Sequence, residues 1–239
     1  MHLPWYDTFF LEDYARFDDH PETAEEVAFL SDILQARGVI LDVACGMGRH
    51  VIPLSEAGYT VVGLDRSEVM LKRAAAHSSS SSFIRGDSRN LPVADGCFDG
   101  AISMFSSVGY FEDESANYRV FSEMARVLKP GGRIVIETVN LSFLIRHAPP
   151  QTWFSQNGLH VMEERYYDPV TCRSEVDVVV VDEDGNSRTY HHSIRIYGAA
   201  ELAMLLASVG VETLDVFGDF DGGNLDVDAP RMILVGERR

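Results

Sequence analysis

The chain has 239 residues, 46% hydrophobic and 24% charged, the balance of an ordinary globular protein long enough for one sizeable core with an elaboration. A formal net charge of -17 at pH 7 excludes broad attraction to nucleic acid or to an anionic membrane surface, because phosphate binding rests on clustered Lys and Arg; the expected partner is a small molecule or a cationic one. Cys45, Cys97 and Cys172 are scattered with no C-x-x-C pair or histidine cluster, so neither a disulfide framework nor a metal site is expected. A reducing cytoplasm fits this chain, which shows no export signal and no apolar run of membrane-spanning length.

Residues 6–36 read as two short helices, the second opening near Pro21 and Thr23 with Val27, Leu30, Ile33 and Leu34 on one face. Tyr6, Phe10 and Tyr14, spaced by four, put an aromatic face on the first helix, which suits either core packing on a sheet or a lid over a cleft. Strand and helix then alternate. Val39–Val43 is a buried strand, 48–57 a helix stopped by Gly58, and 60–64 a second strand, after which Ser67 caps a helix carrying Val69, Leu71 and Ala74.

The serine run at 78–82 reads as a solvated connector leading to a short strand that ends at Asp87. Residues 98–105 form a further apolar strand. A helix from Ser115 carries Phe121, Met124, Ala125 and Leu128 at helical spacing before "KPGG" breaks it into a strand at 133–139. Residues 160–168, 174–182 and 187–197 look like strands in series, the last two joined across an Asp-Gly hairpin signal. A helix at 199–209, a strand at 211–217, an acidic glycine-rich loop and a final strand at 231–237 complete the chain.

This pattern predicts an α/β fold with a doubly wound, Rossmann-like sheet. The expected division is 1–37 as N-terminal helices, 38–149 with 198–239 as the core, and 150–197 as an antiparallel β insertion that shapes the substrate site or forms a homodimer surface.

Ligands of open α/β sheets sit outside the carboxyl ends of the strands, where strand order reverses, and the first strand runs straight into "DVACGMGRH". A dinucleotide turn would carry a third glycine at the position of Val51. More telling are the acids at successive strand ends. Asp65 can accept both hydrogens of a ribose diol, and Asp87 can accept from an adenine amino group. Asp42 beside the turn disfavours a pyrophosphate but suits a ligand bearing an ammonium and a sulfonium, which is S-adenosylmethionine. His50, at the head of the helix, suits either substrate contact or helix-surface solvation, whereas adjacent His191 and His192 point to opposite strand faces and make no metal pair.

Over about residues 38–140 the chain resembles the class I S-adenosylmethionine-dependent methyltransferases. "LDVACGMGRH" matches their glycine motif, "VVGLDRSEVML" the acidic second strand, and "GDSRNLPVADGCFDGAISMF" the third and fourth strands. "LPVADGCFD" and "EMARVLKPGGRIVIE" are similar to the small-molecule branch that includes ubiquinone and menaquinone biosynthesis methyltransferases. The resemblance implies seven strands with the last antiparallel. It also implies cofactor contacts from Asp42, Ala44, Gly46 and Gly48 in the first motif, Asp65 at the ribose, Asp87 and Ser88 at the adenine, and Met104 alongside. Arg66 and Met70 are further adenine neighbours or, equally, surface and core residues.

Methyl transfer from a sulfonium needs alignment and exclusion of water more than a base, although an amine must arrive neutral and a hydroxyl must lose its proton. Tyr110 and Tyr14 are the candidates for such assistance. Ser106, Tyr110, Tyr14, Arg195 and Tyr197 are the candidates for acceptor contact, the arginine through a carboxylate or phosphate. "SSVGYFED" is not the Asn-Pro-Pro-Tyr of adenine-modifying enzymes, and no Pro-Cys nucleophile is present. The reading is methylation of N or O on a small molecule; the alternatives are a non-catalytic S-adenosylmethionine-binding module and, less favoured, an NAD-dependent oxidoreductase.

Overall fold

A computed structural model describes residues 4–17, 20–34, 38–78 and 81–239; Ser79 and Ser80 of the serine run, and residues 18–19 and 35–36 of the predicted N-terminal helices, lie outside the described residues. In chain order, α1 (Trp5–Thr8), α2 (Tyr14–Phe17) and α3 (Thr23–Leu34) precede β1 (Val39–Val43), α4 (Val51–Glu56), β2 (Thr60–Asp65), α5 (Glu68–His77) and β3 (Ser82–Arg85). Then follow β4 (Phe98–Ser103), α6 (Glu114–Val127), β5 (Leu128–Val139), α7 (Leu141–His147) and the strands β6 (Gln151–Gln156), β7 (Leu159–Asp168), β8 (Arg173–Asp182) and β9 (Ser187–Arg195). The chain closes with α8 (Ala199–Ser208), β10 (Val211–Phe217) and β11 (Arg231–Arg238).

The main sheet has the order β10-β11-β5-β4-β1-β2-β3, and β11 is antiparallel to both β5 and β10. Strands wind outward in opposite directions from β1 and β4, so the switch point lies between them and a crevice opens beyond their carboxyl ends. Alternation along the strands fills both faces. Leu41 and Ile134 pack with Phe121 and Met124 of α6 and Leu202 and Leu206 of α8, whereas Ile40 and Val135 pack with Phe29 and Leu30 of α3 and Val51 and Leu54 of α4. Val51 thus serves the core where a dinucleotide site would have its third glycine.

The second sheet, β6-β7-β8-β9, is antiparallel throughout. Its inner face buries Leu159, Val161, Val176, Val178 and Val180 against Phe9 of the N-terminal segment. Each such aliphatic side chain contributes roughly 1.5–3 kcal/mol when fully buried, so this contact holds the segment across the sheet. Here the expected first N-terminal helix is broken into α1 and α2. Phe9 is drawn into the second sheet's core, while Asp13 accepts from Arg188 Nε at 2.5 Å and from the Tyr190 hydroxyl at 2.7 Å. Those contacts outweigh helical continuity in so short a segment.

Other boundaries differ for local reasons. α4 starts at Val51 and not at residue 48, because 44–50 form a turn with positive φ at Ala44, Gly46 and Gly48. β3 ends at Arg85, short of Asp87. β5 begins at Leu128 and carries Lys129–Gly132 within it, with Gly131 at φ +77 and a register shift against β4. Two elements go unpredicted. Asn140 caps α7 by accepting from the Ser142 amide at 3.0 Å, and Asn157-Gly158, both at positive φ, turn β6 into β7.

Candidate active site

The crevice beyond β1 and β4 encloses a cleft of about 1140 Å³, counting its open mouth. One half is built by strand ends: Asp42, Ala44, Gly46, Asp65, Arg66, Met70, Asp87, Ser88 and Met104 all line it. Asp42 is almost wholly buried, and its Oδ2 has no hydrogen-bond partner. Removal from water, reinforced by the nearby Asp65 charge and opposed by Arg49, raises its pKa from 3.8 to about 7. A buried polar atom without a partner is costly, so this carboxylate is poised for a donor that the cleft can admit.

Asp65 fastens the turn. Its Oδ2 accepts from the Gly46 amide at 2.8 Å and its Oδ1 from the Ser67 amide at 2.7 Å. Burial raises its pKa, and these amide bonds pull the other way. The ordinary Cβ position on Gly46, at φ +54, would meet nothing within 4 Å, so the turn's backbone is open to a ligand. Gly48 does not line the cleft, contrary to expectation. Its φ of +80 closes the turn, and its α-carbon backs onto the Phe83 ring, 3.1 Å from where a Cβ would stand.

Asp87 is held below the ordinary carboxylate range chiefly by Arg89, at 2.9 and 2.6 Å, with Arg66 adding a bond of 2.9 Å. Arg66 also grips Asp7 at 2.5 and 3.0 Å and lies 5.5 Å from the Tyr6 ring centre. The N-terminal segment is thus tied to the rim of this half, and Ser67 Oγ donates to the Phe10 carbonyl at 3.0 Å.

The other half is aromatic and basic: Phe10, Tyr14, His20, Arg49, His50, Phe105, Ser107 and Tyr110 line it. The Tyr110 ring stacks against Phe10 at 5.7 Å and meets Trp5 at 4.8 Å. Phe105, at φ +56, presents its ring to His20 at 4.4 Å and to Arg49 at 5.5 Å. His50 is buried, not solvated on a helix surface as its position beside the turn allowed. Ser106 faces away from the cleft: its hydroxyl accepts from the Val139 amide at 2.9 Å, which secures the β4 loop to β5.

Arg195 and Tyr197 lie outside the cleft, correcting their expected contact with the acceptor. Arg195 is spent on Glu201 and the Ile196 carbonyl, and its guanidinium covers the Tyr197 ring at 4.5 Å. Tyr197 is fully buried, packs against Phe121 and donates to Glu114 at 2.9 Å. Both turn inward where β9 ends, at Arg195, and the chain passes into α8 from Ala199. Phe105 and Ser107 could have been found by following β4 to its carboxyl end; His20 carries no sequence signal that joins it to a site 80 residues away.

Among the described residues no group of three or more His, Cys, Asp or Glu could hold a metal ion, and no helix is long and apolar enough to cross a membrane.

Residues 40–132 match a family model described as a methyltransferase domain. YqeM of Bacillus subtilis (strain 168), whose name records a methyltransferase without a substrate, is 34% identical and covers 94% of both chains. The dTDP-3-amino-3,4,6-trideoxy-alpha-D-glucopyranose N,N-dimethyltransferase of Streptomyces venezuelae is 32% identical over 96% of this chain and 98% of its own. Among solved structures, the CcbJ methyltransferase from Streptomyces caelestis has the same fold, with a TM-score of 0.86 at 20% identity over 98% of each chain. The fold is Rossmann-like, as in that structure. The chain belongs to the class I S-adenosylmethionine-dependent methyltransferases, and S-adenosylmethionine is its cofactor.

Proposed function

We propose that the chain methylates a nitrogen or oxygen of a small-molecule acceptor, with the cofactor in the acid-lined half of the cleft and the acceptor in the aromatic half. The observation that carries this reading is that one cleft is lined both by the strand-end acids and by a set of aromatic and basic side chains. Similarity along nearly the whole chain to an amino-sugar N,N-dimethyltransferase favours an amino nitrogen.

The residues suit S-adenosylmethionine. Asp42, with its unpartnered Oδ2, would meet the ammonium, the open backbone at Gly46 would border the methionine part, and Asp65 would take the ribose hydroxyls. Asp87 and Ser88 would border the adenine, with Arg66, Met70, Met104 and Ala44 completing the wall. S-adenosylmethionine supplies a methyl group already activated by its sulfonium. The chain's part is to hold the acceptor in line and keep water out: Tyr14 and Tyr110 orient the acceptor or take part in moving its proton, and Phe10 and Phe105 exclude solvent. The N-terminal segment, bonded to Arg66 on one side and Arg188 on the other, closes the mouth over both ligands.

The test is incubation with methyl-labelled S-adenosylmethionine and a panel of aminodeoxy sugar nucleotides, amines and hydroxylated metabolites, with nucleic acid and protein as comparators, read by mass spectrometry. A small-molecule product bearing the label supports the reading. Label found only in macromolecules refutes it, and binding with no transfer to any acceptor favours a non-catalytic module.

A further inference from the structure

Glu26 does not line the cleft, yet it is 3% exposed and carries two of the residues that do. Its Oε2 accepts from Arg49 Nη1 and lies 2.5 Å from His50 Nε2. Burial alone would push this carboxyl up, but the bonds from His50 and Arg49 hold it at about 2. His50 is itself kept below its ordinary pKa by burial, with the Glu26 bond opposing. Facing a carboxylate that stays ionised and can only accept, His50 Nε2–H is the donor in this contact.

These contacts fall at a mechanically important place. Arg49 and His50 are the joint between the Gly-Met-Gly turn and α4, where the Ile52 amide donates to Gly48 and the Leu54 amide to His50, at 3.0 and 3.1 Å. The opposite end of the same turn is held by Asp65 through the Gly46 amide at 2.8 Å. Two carboxylates from different elements thus clamp one short loop, Asp65 from the end of β2 and Glu26 from α3.

We propose that Glu26 is a positioning residue for the cofactor: through Arg49 and His50 it holds the 44–50 turn in the shape that takes an adenosyl ligand, and it makes α3 part of that site. The proposal rests on the placement of S-adenosylmethionine in this half of the cleft. Without the buried carboxylate, Arg49 loses its ion-pair partner and keeps only Thr23 Oγ1 at 3.4 Å and the Phe105 ring, the His50 ring loses its acceptor, and the carboxylate clamp on the turn remains at one end only.

The test compares Glu26→Gln, Glu26→Asp and Glu22→Gln with the wild type by calorimetric titration with S-adenosylhomocysteine, together with backbone amide NMR of the ligand-free proteins. Glu22 is the control, since it pairs with Arg231 at 2.5 Å on the surface just before α3. Glu26→Gln should bind at unchanged stoichiometry but roughly 10-fold or more weaker, on the scale of a lost charge-assisted hydrogen bond, and shift the amides of 44–50. Glu26→Asp should recover part of that affinity, and Glu22→Gln should match the wild type. Should Glu26→Gln not fold, the Glu26→Asp variant decides through the same two readouts, an intermediate affinity and displaced loop amides being expected. Wild-type affinity with unmoved loop amides in a folded Glu26 variant would overturn the proposal, as would equal weakening by Glu22→Gln. If the wild type takes up no adenosyl ligand, the cofactor placement falls, and the loop amides alone decide whether Glu26 positions the turn.

Discussion

Replacing Asp42 by Asn should stabilise the ligand-free protein, and the gain should grow with pH. Burial raises the Asp42 carboxyl from 3.8 to about 7, which, at about 1.36 kcal/mol for each tenfold change in proton affinity, sets a ceiling of about 4 kcal/mol. The sign follows from proton uptake. Well below pH 3.8, folded and unfolded chains both hold the proton. As pH climbs toward 7 the unfolded chain releases it while the folded chain retains it, so folding is progressively disfavoured, and above 7 the loss is complete. Asn neither titrates nor carries a buried charge. Between pH 5 and pH 8 its advantage should therefore widen by about 3 kcal/mol, which is roughly 6–12 °C in Tm for a chain of this size. Thermal unfolding of both proteins across that range measures it directly. A Tm difference that stays constant from pH 5 to 8, or a destabilised Asn variant at pH 8, would refute the assignment of a strained buried carboxyl. The same substitution should weaken S-adenosylhomocysteine binding, so stability is gained at a site that function keeps strained.

Arg195→Ala and Tyr197→Phe should each lower stability, by about 1–2 kcal/mol and about 1 kcal/mol, while leaving S-adenosylhomocysteine affinity unchanged; weakened ligand binding in a folded variant would restore these residues to the site. Asp13→Ala removes the acceptor of Arg188 and Tyr190, so cleavage of the N-terminal segment in limited proteolysis should quicken several-fold, whereas an unchanged rate would show that the segment is held by its aromatic contacts alone. Gly46→Ala should cost roughly 1 kcal/mol in strain at φ +54 and obstruct the open face of the turn, lowering cofactor affinity; calorimetry showing wild-type affinity would place the ligand elsewhere.

The main sheet and the acid-lined half were legible because both rest on local patterns. Short, nearly continuous apolar runs mark β1, β2, β4 and β5, as strands covered on both faces require, and each acid stands at or near a strand end, so Asp42, Asp65 and Asp87 come together once strand order is known. The aromatic half was legible only in part. Tyr6, Phe10 and Tyr14, whose spacing left core and lid both open, line the cleft, yet the single helix behind that spacing does not form, because Phe9 and Asp13 are claimed by the second sheet. Arg195 and Tyr197, on a strand leading toward the core, read as candidates for acceptor contact, but their partners Glu201 and Glu114 come from α8 and α6, which no local pattern links to them. Glu26 was hidden for the same reason, a carboxylate on an amphipathic helix whose partners lie more than 20 residues on. Asn157-Gly158, in contrast, was a readable hairpin signal.

The most direct test of the account is calorimetric titration of the wild type and of Asp65→Asn with S-adenosylmethionine, S-adenosylhomocysteine and NADH. The account predicts one site per chain that takes the two adenosyl ligands and not NADH, with affinity for both falling roughly 10-fold or more in Asp65→Asn. Equal binding by wild type and variant, or binding of NADH alone, would contradict it.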